Sequence, residues 1–337
     1  MRKNETFLKS ILSLLKYHSK KNKKFKYLIK NLSNGLNNIK NLNQLPFIHV
    51  NCFKENDLLS VRKEKIVTTL FSSGTTSSGR SKIFLDKKNV LYQKKILSRL
   101  LFKNISNVRL PMIILDKKIN KIEKNDFNAK IAAIYGFSLI GKNYFYILNN
   151  DGSINYSGLR RFLKINNNSK ILMFGFTFDV YNILMKKLKK NLNFKFHNAI
   201  LVHGGGWKNM EKIKISNQSF KEGIYKKFGI KNIINYYGVV EQTGSIFFEC
   251  KKCNNFKTNE YSDIIIRRSD LNVCDKNEKG IVQLLSLVPT SYPGNSILFE
   301  DLGRITDNKC RDCQNFKSFN IEGRIKNVEI RGCSDAI

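Results

Sequence analysis

Cysteines make the sharpest chemical pattern in this chain. Of seven, four fall into two C-x-x-C knuckles, Cys250 with Cys253 and Cys310 with Cys313. Four thiolates delivered in pairs suit a tetrahedral structural zinc ion, which would pin two distant hairpins together. Zinc is favoured here over four unligated thiols or a redox pair, and a closed site of this kind does no chemistry of its own. Cys52 and Cys274 stand alone and read as small buried hydrophobes. Cys333, close to the final residue Ile337, is a candidate nucleophile on a short tail.

Glycine-rich loops form the second pattern. FSSGTTSSGRSK, residues 71–82, lets successive backbone N–H groups of Ser73, Gly74, Thr75 and Thr76 converge on an anion, and Lys82 adds a point charge. It lacks the spacing of a Walker loop. HGGGWK, residues 203–208, permits a flat ligand to approach the backbone at Gly205 and Gly206; a tight structural turn is the competing reading. In the same loop His203 either orients a ligand or is a satisfied loop histidine, Trp207 reads as packing, and Lys208 as a surface lysine or a contact to phosphate.

The elements that position these loops follow from periodicity. Residues 5–40 carry apolar positions at helical spacing and predict two amphipathic helices. From Ile66, short apolar runs ending in polar or glycine turns (IVTTLF, LPMIILD, KILMFGF, AILVHGGG, INYYG) alternate with helix-length gaps, which implies an α/β fold with a largely parallel sheet. The loop at 71–82 is expected between a strand and a helix starting near Asn89, at the strand ends where such sheets bind ligands. GFTFDVYNIL, from Gly175, reads either as the wall of a ligand channel or as a helix core. After Cys250 the runs YSDIIIRR, GIVQLLSLV, NSILFED and FNIEGRI are strands with turns between them. Three segments result: a helical segment 1–45, an α/β core 46–245, and a β-rich subdomain 246–337 with the knuckles and the cysteine tail.

A chain of 337 residues with 42% hydrophobic residues holds a core without disulfides. The net charge of +34 invites a nucleic-acid partner, but the lysines are spread through the chain with Asn and Ile rather than gathered in a stripe. Such a surface attracts anionic substrates, ATP among them. Nothing reads as a membrane span or signal peptide, so a cytoplasmic location is expected.

Four motifs also follow one another in the order used by adenylate-forming enzymes. SSGTTS resembles their SGTTG-x-x-K phosphate loop, with Lys82 displaced along the chain. NYYGVVEQTG, residues 235–244, resembles their Y-G-x-T-E motif, with Tyr237, Gly238 and Glu241 matching and Val240 in place of Thr. LFEDLGRI and IEGRIKN resemble the segments whose Asp and Arg hold the ribose, here Asp301 and Arg324, with Glu300 where glycine is usual. The resemblance implies that Tyr237 stacks on adenine and Glu241 holds Mg²⁺, while Gln242, Thr243 and Gly244 can supply polar contacts near the α-phosphate. The wider set LPFIHVNCFK, HGGGWK, YYGVVEQTGSIFFEC and GRIKNVEIRGC, over about residues 45–335, is similar to the acyl-protein synthetases of bacterial bioluminescence. That likeness implies the large α/β domain of adenylate-forming enzymes without their C-terminal lid. It also implies activation of a fatty or other carboxylic acid by ATP as acyl-AMP, transfer to a thiol with Cys333 as acceptor, and an acyl-accepting reductase or carrier protein downstream. The competing expectations are transfer to CoA, a carrier protein or an amino-sugar, and, from another class, a zinc-ribbon nucleic-acid-binding protein.

Overall fold

The computed structural model describes residues 2–32, 36–72, 79–118, 129–189, 194, 196–206, 215–307 and 310–325. Ser73, Gly74, Thr75, Thr76, Trp207, Lys208 and Cys333 lie outside them. The chain forms two compact units, one of Met1–Leu97 with Gly238–Glu329, the other of Ser98–Tyr237. The N-terminal helices and the β-rich region therefore share a unit, a discontinuous grouping that reading along the chain does not reveal.

The first unit begins with α1 (Arg2–Lys21) and α2 (Lys23–Leu32), the two expected amphipathic helices. Phe7, Ile11, Leu15, Phe25 and Ile29 are their buried hydrophobic positions, spaced four apart within each helix. His18 is buried in α1, its Nδ1 2.7 Å from Ser60 Oγ, and burial lowers its pKa to about 4. After β1 (Ile48–His49) and α3 (Cys52–Glu55) come β2 (Ile66–Phe71) and β3 (Lys82–Asp86), followed by α4 (Lys87–Asn104). Strands β2 and β3 pair antiparallel in a two-stranded sheet of their own. This corrects two expectations: IVTTLF is not part of the parallel sheet, and the loop at 71–82 joins two strands rather than a strand and a helix. The reason is local, since KIFLD after the loop is itself β-prone, alternating half-buried and buried residues. The helix starts only where the Asp86 carboxylate accepts the Asn89 N–H at 2.7 Å.

The β-rich part holds β9 (Ile246–Glu249), β10 (Phe256–Lys257), β11 (Ser262–Arg267), β12 (Gly280–Ser286), β13 (Ser296–Thr306) and β14 (Ser318–Arg324). Their order is β11-β12-β13-β14-β10-β9, antiparallel throughout, with β1 added parallel to β13.

The second unit is the expected α/β part: β4 (Leu110–Lys117), α5 (Ala129–Phe137), β5 (Gly141–Leu148), α6 (Tyr156–Ile165), β6 (Ile171–Phe176), α7 (Thr177–Val180), β7 (Ala199–Gly204), α8 (Asn217–Phe228) and β8 (Asn232–Gly238). The strands run parallel in the order β5-β4-β6-β7-β8. Every residue of β6 and β7 is buried, as a sheet covered on both faces requires. Met173 and Leu201 pack in one cluster with Leu159 and Phe162 of α6 and Phe220, Ile224 and Phe228 of α8. Each such side chain contributes about 1.5–3 kcal/mol on burial. Asn155 and Ser216 cap α6 and α8 by accepting the N–H groups of Gly158 and Ser219. A π-helical stretch, Tyr181–Lys187, continues α7, and its Ile183 and Leu184 are buried, so GFTFDVYNIL is core.

Candidate active site and metal centre

In the second unit the glycine loop leaves the carboxyl end of β7, where parallel sheets bind ligands. Gly204 is held there by its neighbour: a Cβ would come within 2.6 Å of the Tyr236 backbone oxygen. Tyr236 itself is packed against Phe137 at 4.7 Å and Phe174 at 6.2 Å between ring centres. Strand alternation then sends Tyr237, half-buried, to the opposite face. Gly205 takes φ +78°, and a Cβ on Gly206 would meet nothing within 4 Å among the described residues.

His203 is fully buried, and burial lowers its pKa to about 3. Thr177 Oγ1 donates its single proton to Gly204 O at 3.1 Å, so at 3.0 Å it accepts from His203 Nδ1. The imidazole is therefore neutral with Nδ1 protonated, and it fixes the start of the loop through Thr177. The ring's Nε2, also buried, has no hydrogen-bond partner among the described residues, so His203 is tied to the loop through Nδ1 alone.

In the first unit a short 3₁₀ turn, Val240–Gln242, buries Glu241. Burial pushes its carboxyl pKa up; the polar Ser81 side chain and, less strongly, the positive charge of Arg324 oppose this, and the negative charge of Asp301 adds to it. Asp301 and Arg324 are directly opposed on β13 and β14, and Arg324 Nε donates to Asp301 Oδ1 at 3.0 Å. Three residues picked from separate motifs thus form one electrostatic group. Gln242 is not a ligand-facing amide: its Nε2 donates to Leu284 O and Gly294 O. The Thr243 hydroxyl donates back to Val240 O at 2.6 Å. Lys82 pairs at 3.1 Å with Asp57, both largely exposed, an interaction of about 1 kcal/mol or less.

Sequence reasoning missed the residues behind Glu241. Tyr292, fully buried, donates from its hydroxyl to Glu241 O at 2.9 Å, and burial beside Glu241 pushes the phenol well above its ordinary range. Asn89 anchors the same segment by accepting from the N–H groups of Thr290 and Ser291. The available signal was the turn SYPGNS, residues 291–296, in a region otherwise made of strands.

The two knuckles occupy neighbouring hairpin tips. Cys250 and Cys253 lie between β9 and β10, Cys310 and Cys313 between β13 and β14, and β10 pairs with β14. Sγ of Cys250 is 3.8 Å from that of Cys310, and Sγ of Cys253 is 3.8 Å from that of Cys313. All four sulfurs lie within 4.8 Å of one another. A tetrahedron with zinc–sulfur bonds of about 2.3 Å has edges of about 3.8 Å, so the four thiols fit that ion. Lys252 and Asp312, one from each knuckle, pair at 3.0 Å across the tips. Cys52 and Cys274 are half-buried rather than buried.

A cleft of about 560 Å³ in this unit is lined by Phe7 and Ser10 of α1 and by Thr258, Phe316 and Ser318 near the hairpin tips; it contains none of the expected site residues. No described helix is long and apolar enough to cross a membrane.

The fold is shared with solved adenylate-forming enzymes. A 2-hydroxyisobutyryl-CoA ligase, in an open conformation with 2-HIB-AMP and CoA, matches 96% of this chain and 75% of its own at 12% identity and a TM-score of 0.73. The amide bond synthetase McbA from Marinactinospora thermotolerans matches 80% of this chain and 52% of its own at 11% identity, TM-score 0.53. The luciferase-like enzyme of the nonluminescent mealworm Zophobas morio matches 80% and 60% at 15% identity, TM-score 0.53. No curated protein matches the chain. The family model described as acyl-protein synthetase, LuxE, matches residues 1–337. Together with the fold and the motif order, this places the chain in the LuxE acyl-protein synthetase family.

Proposed function

We propose that the protein activates a carboxylic acid, a fatty acid in the first instance, with ATP to give acyl-AMP, and then transfers the acyl group to a thiol. The observation that carries this reading is the electrostatic group of Glu241, Asp301 and Arg324, assembled from three motifs in a chain of this family. In the first step a carboxylate oxygen of the acid attacks the α-phosphorus, the bond to the β-phosphate oxygen breaks, and pyrophosphate leaves. Asp301 and Arg324 hold the ribose hydroxyls, Tyr237 stacks on adenine, and Gly205 and Gly206 let the nucleotide lie against the backbone. The loop Ser73–Thr76, Lys82 and Thr243 contact the phosphates. Glu241 is the residue that would hold Mg²⁺: a single carboxylate suits an ion that keeps most of its water, and such an ion would supply positive charge against the departing pyrophosphate. In the second step the thiolate attacks the acyl carbon, the carbon–oxygen bond to AMP breaks, and AMP leaves with its phosphate ionised.

Cys333 is the proposed acceptor and a reductase or carrier protein the next one; CoA or an amino-sugar is the alternative destination. Zinc on Cys250, Cys253, Cys310 and Cys313 is a structural brace, and its reduced thiolates suit a cytoplasmic location. The nucleic-acid-binding reading gives way to the family membership.

The test has two parts. Acid-dependent exchange of pyrophosphate into ATP is expected across a chain-length series, and its absence with every acid would sink the activation step. Radiolabelled acid with ATP is expected to label the protein, and labelling is expected to vanish in Cys333→Ser. Labelling that persists in that variant would move the acceptor elsewhere.

A further inference from the structure

The pairing of Asp301 with Arg324 depends on an irregularity in the β-ladder. From Thr306↔Ser318 to Gly303↔Ile321 the strands β13 and β14 keep one register with a single step per residue. Continued unchanged, that register would set Asp301 opposite Gly323 and Arg324 opposite Glu300. Instead Leu302 faces Gly323 and Asp301 faces Arg324, so β14 carries one extra residue, Glu322. Neighbouring residues of a strand point to opposite faces, and Asp301 is buried where Glu300 is half-exposed. The bulge therefore moves Arg324 from the face of Glu300 to that of Asp301. Gly323 adopts φ +123° with nothing within 4 Å of a would-be Cβ, so conformation rather than space calls for glycine there.

The extra residue is clamped. Glu322 meets Arg304 in an ion pair: Nη2 donates to Oε2 at 2.9 Å, and Nε lies 2.5 Å from Oε1. Arg304 Nη1 also donates at 3.3 Å to Asn277 O, in a turn whose own Asn277 N–H bonds to Ile305 O. Just beyond the bulge Ile325 N–H donates to Glu300 O at 2.9 Å, closing the ladder in its shifted register. A one-residue slip here would reverse the face of every side chain after it.

We infer that Glu322 and Arg304 are positioning residues for the nucleotide: their ion pair pins the β-bulge that sets Arg324 against Asp301. The inference rests on the ribose role proposed for that pair. Both side chains are partly exposed, so substitutions there leave the core intact. Glu322→Gln and Arg304→Gln are expected to raise the KM and the calorimetric Kd for Mg-ATP by on the order of tenfold, about what losing one charge-assisted contact gives. The KM for the acid and kcat are expected to stay within about twofold, and the charge-swapped double variant Arg304→Glu/Glu322→Arg is expected to recover most of the ATP affinity. Hydrogen exchange supplies a readout independent of ATP. Protection of the Ile325 amide is expected to fall in Glu322→Gln while that of the Phe319 amide holds. Unchanged ATP affinity in both single variants overturns the positioning role, and unchanged Ile325 protection overturns the pinning. If the wild-type protein binds no ATP, the ribose role falls with the proposed function, and the Ile325 result alone decides whether the ion pair holds the bulge.

Discussion

The two units handle polar side chains in opposite ways. At the carboxyl edge of the parallel sheet, His203 is buried, neutral and tied through Thr177 to the backbone, and Tyr236 is sunk among Phe137 and Phe174. In the antiparallel unit, Glu241, Asp301 and Arg324 bring charges together, and four thiols gather at adjacent hairpin tips. One unit thus offers shaped backbone, the other concentrated charge. A sheet covered on both faces has no room for ionised groups, whereas hairpins end in exposed turns and place cross-strand partners side by side.

Breaking the four-thiol cluster tests the charged side most severely. Cys313→Ser is expected to lose zinc, read by elemental analysis as one ion per chain falling toward none, and to melt far below the wild type. Structural zinc supplies about 10–16 kcal/mol of binding free energy in small domains, so even a fraction of that is decisive. Cys52→Ser, outside the cluster, should change neither.

Next in size is Glu241→Gln. Pyrophosphate exchange is expected to fall by about 10²-fold or more, as for other losses of charge stabilisation. Stability moves the other way. A buried carboxylate with a raised pKa carries a penalty that is full above its folded-state value and gone below its unfolded one. The variant should therefore melt higher than wild type near pH 7.5, with the difference closing as the pH falls below the ordinary Glu value. A variant that is both inactive and less stable at every pH would contradict the burial argument.

The backbone side is sharpened by two glycines of one loop. Gly204→Ala forces a methyl group onto the Tyr236 backbone and is expected to cost about 1–3 kcal/mol in denaturant unfolding. Gly206→Ala, with open space, is expected to keep stability within about 0.5 kcal/mol while weakening ATP binding. Equal destabilisation by both would remove the distinction between packing and ligand approach.

Acid titration gives a smaller, graded effect. His18 and His203 have pKa values lowered to about 4 and about 3, so the stability linked to their neutral forms is complete above the unfolded value near 6.5. It drains away as the pH falls toward those folded values. Melting temperature should decline from pH 6.5 to 4.5, and His18→Gln should flatten that slope. The smallest expected effect is Asp57→Ala, which removes the exposed partner of Lys82 and should change stability by no more than about 1 kcal/mol.

Much of this organisation was legible along the chain because it is local. The helical spacing of Phe7, Ile11 and Leu15, the apolar runs of β6 and β7, and the C-x-x-C pairs each carry their meaning within a few residues. The corrected features depend on pairing. Whether IVTTLF joins a parallel sheet or a private hairpin is settled by KIFLD, across a loop, and not by its own composition. Tyr292 was invisible because its role comes from burial behind Glu241, and Glu322 because a bulge exists only relative to the opposite strand. Gln242 looked like a phosphate contact from its place in a motif, yet it is fully buried and its amide nitrogen donates to two backbone carbonyls.

The discontinuous unit also has a consequence for biosynthesis. Strand β1 aligns with β13, and Ser296 Oγ bonds to Pro46 O across 250 residues of chain. Contacts so distant in sequence are slow to form and wait on translation. The α/β unit emerges from the ribosome whole while α1, α2 and β1 still lack their sheet. Until β13 is made, the apolar faces of those helices are without their native cover, so segments made well before the α/β unit settle only after it.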